Sequence, residues 1–458
     1  MKKLIIINCL LLIYSFAFTA FPGTVGSTPI TSDLKKDLLK TPALIPEIQK
    51  KEASLNRFLP NNGNNVQESS RLFRSWPTGG PQELWRVAIG NGKSSIVAGN
   101  GRIYTLVQTD KQQYAICLEA ATGKTLWKKL LLPKDNHHVV TGPVNGPILD
   151  DNRLYVFPYE AENDDLWEPR CPCFCLNIED GSVIWSEQKE FNCSEGSTPL
   201  IVNDVLYIGG GGRENALAAV DKRTGKLLWK VPESIDAGHQ HVFVTGASLT
   251  YQMVGDIPQI IVPVFRDDIM GVHALTGQVL WHWKLENPTS SGIVPTPVAI
   301  GSRLFLSAFQ GAVSYSQCLE MTVKGDSIIP KLIYKDARLQ CNMFHTPSIV
   351  DGAIFGFGKG TEHDAMQCTA LEDGRLIWQQ EGEEWRTDRQ LTVADGLIFA
   401  ITKKDELVLA EAGRNGYKEF GRVAPGIPLG IPQQPMIVGG KLFLRGETTM
   451  VCYQIGEE

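Results

Sequence analysis

The chain has 458 residues, 43% of them hydrophobic and 21% charged, with 44 glycines, a globular composition rich in turns. A formal charge of -6, a pI near 5.8 and the lack of any long basic stripe exclude binding to nucleic acid through phosphate neutralisation.

Lys2 and Lys3 precede a run from Leu4 to Phe21 that is apolar apart from a few small or polar residues. That is the layout of an export signal, with an uncleaved membrane anchor as the alternative. Cleavage after Ala20 and cleavage near Gly26 or Ser27 are both open, and the expected divisions are 1–26 for the signal peptide, 27–82 for an N-terminal arm and 83–458 for the main domain. No second segment is long and apolar enough to span, so the mature chain is expected to be exported, periplasmic or extracellular, without a membrane span. Ten cysteines include Cys9 within the signal, leaving an odd number. Export permits disulfides, and the odd count requires a free thiol or an intermolecular bond. Residues 28–75 are polar, with Pro42, Pro46, Pro60 and the loop-like NNGNN at 61–65, and show no core-forming pattern. They read as a surface arm or partly disordered tail.

From about residue 83 the chain repeats one phrase: an apolar strand, a turn glycine, and a tryptophan four residues later. Its copies place Gly123 before Trp127, Gly181 before Trp185, Gly225 before Trp229, Gly277 before Trp281, and Gly374 before Trp378. A second phrase, two or three β-formers with an aromatic, recurs at Tyr104, Tyr155, Tyr207, Phe305, Phe355, Phe399 and Phe443, with a degenerate copy near Ile261. Spacings of about 44 to 54 residues match a four-stranded propeller blade. The tryptophan phrase decays twice: Tyr334 is the expected substitute in the fifth repeat, and Phe420 or Tyr417 in the seventh. The last repeat lacks a fourth strand, while ELWRVAI, with Trp85, stands at the start without its first three. The expected fold is all-β: an eight-bladed propeller of four-stranded antiparallel blades, closed 3+1 by the N-terminal strand.

The turn glycines supply positive φ. Six places before them stand the small residues Cys117, Cys175, Ala219, Gly271 and Cys368, which allow close approach of neighbouring sheets. These cysteines, with Cys452 in the equivalent strand of the last blade, therefore read as small buried apolar groups. Each tryptophan is expected to pack against a neighbouring blade and donate its indole N–H to a backbone carbonyl. Their regular spacing favours structure over a sugar-binding platform.

LAAVDKRTGKLLW resembles the repeat of pyrroloquinoline-quinone (PQQ)-type β-propellers, A-x-D-x-x-T-G-x-x-x-W, through Ala219, Asp221, Thr224, Gly225 and Trp229. The resemblance covers about residues 72–455. SWPTGGPQELW, FHTPSIVDGAIFGFG, and ELVLAEAGRNGYKEF followed by KLFLRGETTMVCYQI are similar to exported PQQ-like propellers of planctomycete-type bacteria. Relatives include PQQ-dependent alcohol dehydrogenases and the propeller scaffold of the outer-membrane protein assembly machinery. The repeat is specific for fold and weak for function. A dehydrogenase of that family implies a quinone over calcium, an aspartate base and often an adjacent-cysteine disulfide. This chain has no adjacent cysteine pair, and no calcium triad falls on any motif.

In a propeller, strand alternation puts the B–C and D–A loops on the face opposite the T–G turns, where a ligand or partner is expected. That face takes His137 and His138, the acidic loop before Cys171, Cys341 and His345. His239 and His241, two residues apart, share one face of a strand and are metal candidates, or else polar surface groups. Cys171, Cys173 and Cys175 followed by Cys193 suggest a soft-metal cluster or a Cys171–Cys193 disulfide with Cys173 as competing partner, and the disulfide is preferred. The charged RDD at 266–268 and TEHD at 361–364 form no recognisable constellation, and GGGGR at 209–213 reads as a blade turn rather than a phosphate loop. The expectation is a non-catalytic, monomeric scaffold binding a cell-envelope protein or small ligand. A PQQ–calcium or metal-dependent oxidoreductase is the alternative, and carbohydrate or polymer binding is a third.

Overall fold

The computed structural model describes residues 64–133, 142–158, 160–161, 169–191, 193, 196–209, 215–232, 247–264, 268–285, 295–310, 313–340, 345–429 and 434–457. Among them the strands form eight antiparallel blades, each running A to D from the inside outward. Blade 1 illustrates the pattern: Val97–Gly99, Arg102–Thr109, Gln112–Glu119 and Thr125–Leu132. In blade 3 the order is Leu200–Val202, Val205–Gly209, Leu217–Asp221 and Leu227–Val231. A register shift recurs at the small residue of strand C, as between Ala219 and Val220, so that Ala219 faces Trp229. The same shift follows Cys117, Cys175, Gly271 and Cys368. It adds twist just before the T–G turn.

The core is a ring of eight layers, one between each pair of neighbouring blades. Blades 3 and 4 meet through Leu217, Ala219 and Trp229 against Ile260, Val262 and Val272. Blades 8 and 1 meet through Trp85, Phe443 and Cys452 against Ile103, Ile116 and Leu118. Both faces of each sheet are buried, so the inner strands read as unbroken apolar runs. Cys117, Cys175, Cys318, Cys368 and Cys452 are buried in these layers.

The expected 3+1 closure is corrected: no sheet is closed or curled. Gln82–Ala88 lies antiparallel to Thr449–Gln454 as the outer strand of an ordinary open four-stranded sheet, with Lys441–Arg445 and Met436–Val438 inside it. Among the described residues no strand pairs with the outer edge of a blade, and the ring is held by side-chain packing and hydrogen bonds between sheets. Nor are all blades four-stranded. Blade 7 (Leu391–Ala394, Leu397–Ile401, Leu407–Glu411, Glu419–Val423) carries a fifth strand, Val66–Gln67, parallel to its innermost one.

That fifth strand comes from the stretch whose polarity read as tail or loop. Asn65 and Gln67 are buried. The Gln67 amide donates to Pro435 O at 3.1 Å and accepts from Ile437 N at 2.6 Å, joining blade 7 to blade 8. Asn65 donates to Thr346 O, and Ser348 Oγ donates to Asn65 O at 2.8 Å, reaching blade 6. The inner ends of the blades are also linked by hydroxyls. Thr198 N donates to Ser248 Oγ, Ser248 N to Thr296 Oγ1, and Thr296 N to Thr346 Oγ1, each at 2.9 Å. Each buried amide thereby finds a partner in the next blade.

Candidate functional site

The tryptophan repeat is structural in its geometry. Trp85, Trp127, Trp185 and Trp378 donate their indole N–H to Ala120 O, Ile178 O, Lys222 O and Gly413 O at 2.8–3.1 Å, in each case in the next blade. The rings of Trp85, Trp127, Trp185 and Trp229 lie over the neighbour's turn. A Cβ on Gly123 would sit 2.8 Å from Trp85, on Gly181 2.8 Å from Trp127, on Gly225 2.6 Å from Trp185, and on Gly277 2.8 Å from Trp229. Glycine is thus demanded twice, by φ of +71 to +76° and by the indole above it. The aromatic of the second phrase completes the unit, with Tyr104–Trp127, Tyr155–Trp185 and Tyr207–Trp229 centroids 5.9–6.0 Å apart.

Where the phrase decays, the structure shows three different solutions. Tyr334 takes the tryptophan's place, 2.5 Å from a Cβ built on Gly374. In blade 7, neither Phe420 nor Tyr417 fills the position. Gly421 stands opposite Leu409, where the tryptophan would be, and Trp76 from the N-terminal arm lies over it, 3.3 Å from a built Cβ and 6.3 Å from Phe399 between centroids. Trp281 departs from the expected carbonyl bond. Its indole donates to Gln259 Oε1 at 2.7 Å, over Gly271, whose built Cβ would lie 2.1 Å from Nε1. Gln259 donates to Gln252 Oε1 at 2.9 Å, and Gln252 donates to Gly301 O and Arg303 O in blade 5. Two buried glutamines therefore carry a link that indole makes elsewhere, because blade 5 has no T–G turn for Trp281 to cover.

Blade 5 differs for that reason. Its outer strands, Val313–Lys324 and Ser327–Asp336, form a long hairpin. Met321 and Ile328 are buried against Ile257, Leu280 and Trp283 of blade 4. Val323, Ile329, Leu332 and Ile333 are left 37–47% exposed, with Lys324 and Lys331 exposed among them. Sequence reading marked this repeat as degenerate but could not show which of its apolar residues the fold would leave uncovered.

On the opposite face, His239, His241, His137, His138, Cys341, Arg266, Asp267 and the GGGGR run after Gly209 lie outside the described residues. His345 is fully buried rather than presented to a ligand. Its Nδ1 accepts from Leu391 N at 3.4 Å, its ring meets Phe357 edge-on at 5.6 Å, and desolvation pushes the imidazole down to about 3. In the TEHD segment, Thr361 N, Glu362 N and His363 N all donate to the Glu381 carboxylate. These bonds hold it at about 2. Asp268 Oδ2 lies 2.8 Å from His282 Nδ1 within hydrogen-bond reach, and Asp364 pairs with Lys359 at 2.7 Å. Cys171, Cys173 and Cys193 do come together, buried beside Phe157, Phe191 and Ile208. Among the described residues no group of three His, Cys, Asp or Glu is arranged to hold a metal. Among the same residues no helix is long and apolar enough to cross a membrane.

The comparisons agree with this architecture. No curated protein matches the sequence. The chain is similar in structure to BamB from Moraxella catarrhalis, with a TM-score of 0.56 and 9% identity over 82% of this chain and 97% of that one. It is similar to Saccharomyces cerevisiae Sqt1, with a TM-score of 0.54 and 9% identity over 85% and 100%. It is also similar to the computationally designed protein Ika8, with a TM-score of 0.53 and 13% identity over 81% and 99%. At such identities these likenesses establish the propeller fold alone, which is compatible with a scaffold and with an oxidoreductase-like role. Nothing in them supports the planctomycete-type subgroup. The PQQ_2 family model, described as outer membrane protein assembly factor BamB, matches residues 77–241 and 173–325, together more than half of the chain. With that match and eight blades, four of whose interfaces set a tryptophan over the next blade's turn glycine, the chain belongs to the PQQ_2 family of BamB-like β-propellers.

Proposed function

We propose that the protein is an exported, non-catalytic scaffold of the cell envelope that docks another polypeptide on the outer hairpin of blade 5. The observation that carries this reading is the hairpin itself. Val323, Ile329, Leu332 and Ile333 are 37–47% exposed on the outer strand pair that departs from the repeat. Exposed apolar groups on a long outer strand favour contact with a partner. Lys324 and Lys331 lie among them, so the partner surface is an apolar segment flanked by acidic residues. Membership of a family described by an assembly factor supports a binding role.

A photo-crosslinking residue at Ile329 or Leu332, compared with one at the equally exposed Leu126 of blade 1, tests the reading in the intact cell envelope. The expected result is one adduct of defined mass at the blade 5 positions alone, lost in a folded Lys324→Glu/Lys331→Glu variant. Equal labelling at Leu126 would overturn it. So would stoichiometric binding of PQQ and calcium with alcohol-dependent dye reduction, which would establish the oxidoreductase instead.

A further inference from the structure

The sulfurs of Cys171 and Cys193 converge on one side chain. Cys171 lies just before strand C of blade 2 (Cys173–Asn177), and Cys193 lies beyond strand D (Val183–Glu187). The Asn145 amide donates to Cys171 Sγ at 3.7 Å and to Cys193 Sγ at 3.5 Å, while its Oδ1 accepts from Gly196 N. Cys193 Sγ also donates to Cys171 O at 3.8 Å. Asn145 precedes the inner strand of the same blade, Ile148–Asp150. One amide thus gathers the entry to strand A, the entry to strand C and the exit from strand D. Cys173 is two residues along the chain from Cys171 and faces the same apolar layer, but no bond to Asn145 draws it to Cys193.

We infer that Cys171 and Cys193 form a disulfide that staples the strand C entry of blade 2 to its strand D exit, on the face opposite the T–G turns. The oxidant is an external low-molecular-weight disulfide. One protein sulfur gives up its proton and displaces one thiol from that disulfide, forming a mixed disulfide. The second sulfur then displaces the other half. The protein sulfurs lose two electrons, the external sulfurs gain them, and the two protons leave on the two released thiols. Both cysteines are buried, and desolvation pushes the Cys193 thiol up, so exchange belongs to the folding stage, before the layer packs over the pair. Once formed, the bond is shielded from reductant by the same burial.

The test is to refold the full chain in a mixture of oxidised and reduced glutathione, alkylate it in urea and map it by non-reducing tandem mass spectrometry. Fragmentation separates Cys171 from Cys173, which share a tryptic peptide. The expected product is a Cys171–Cys193 link, two hydrogens lighter than the thiol form. It persists in Cys173→Ser, resists reduced glutathione in native buffer, and gives a higher urea midpoint than dithiothreitol-treated wild type. That last comparison needs no variant, so a Cys171→Ser or Cys193→Ser protein that fails to fold does not block the test. A dominant Cys173–Cys193 link, or full alkylation of all three thiols, would overturn the inference.

Discussion

Gly225 and Arg445 show how far single residues are decided by what lies across a blade interface. Gly225 is legible in sequence as a turn residue, but the Trp185 ring 2.6 Å from its absent Cβ is not. Gly301 has φ of +55° and open space around it. Gly225→Ala is therefore expected to cost about 1–3 kcal/mol more than Gly301→Ala, the difference being the displaced indole rather than backbone strain. Urea denaturation of the two variants measures it, and equal losses would mean that the ring contact contributes nothing. Arg445 sits in an apolar run, KLFLRG, yet is completely buried. It donates to Ser94 O at 2.7 Å, to Leu106 O at 2.9 Å and to Thr105 Oγ1, and burial pushes its guanidinium down to about 9. These bonds join blade 8 to blade 1, and a built Cβ on Gly92 would lie 2.6 Å from Nη2. Nothing in the local sequence distinguishes it from a surface arginine.

Among elements, the N-terminal arm was the least legible. Its asparagines, glycines and prolines match a solvated tail. However, buried amides are compatible with a core when every polar atom meets a backbone partner, as Gln67 does. The arm crosses blade 7 from its inner edge, at Val66–Gln67, to its outer strand, at Trp76. On the way, Leu72 enters the layer between blades 7 and 8. Trp76 thus supplies in space the aromatic that the seventh repeat lacks in sequence. Truncation by Trp76→Ala is expected to lower stability by about 3 kcal/mol, the low end of the range for buried aromatics because the ring is only partly covered. A denaturation midpoint equal to wild type would place Trp76 outside the fold's energetics.

For the whole molecule, the packed interior makes stability depend on pH. The imidazole of His345 is held neutral at about 3, against 6.5 in the unfolded chain, so the folded state binds fewer protons between these values. Its contribution is complete above pH 6.5 and declines as pH falls toward 3, by at most ~1.4 kcal/mol per pH unit. Between about pH 6.5 and 5.5 the carboxylates stay largely ionised, so that window isolates the histidines, His273 with His345 among them because burial lowers both. His345→Gln, which keeps an acceptor for Leu391 N, is expected to flatten the decline there, as read from thermal midpoints across pH. An unchanged slope would show that His345 is not the group responsible.

Period, turn glycines and alternating apolar runs determine an eight-bladed all-β propeller, because these are local requirements of strand and turn geometry that repeat with the chain. The small residues of strand C are legible for the same reason. Tertiary structure decided what depends on distant residues meeting. It showed open sheets joined by packed layers in place of a closed sheet. It sent Trp76 to a vacancy in blade 7 and placed His345 in the interior. It also covered Met321 and Ile328 while leaving Ile329 exposed. Each of these is set by which neighbouring blade supplies a surface, a partner or a gap, and that information is carried by no single stretch of the chain.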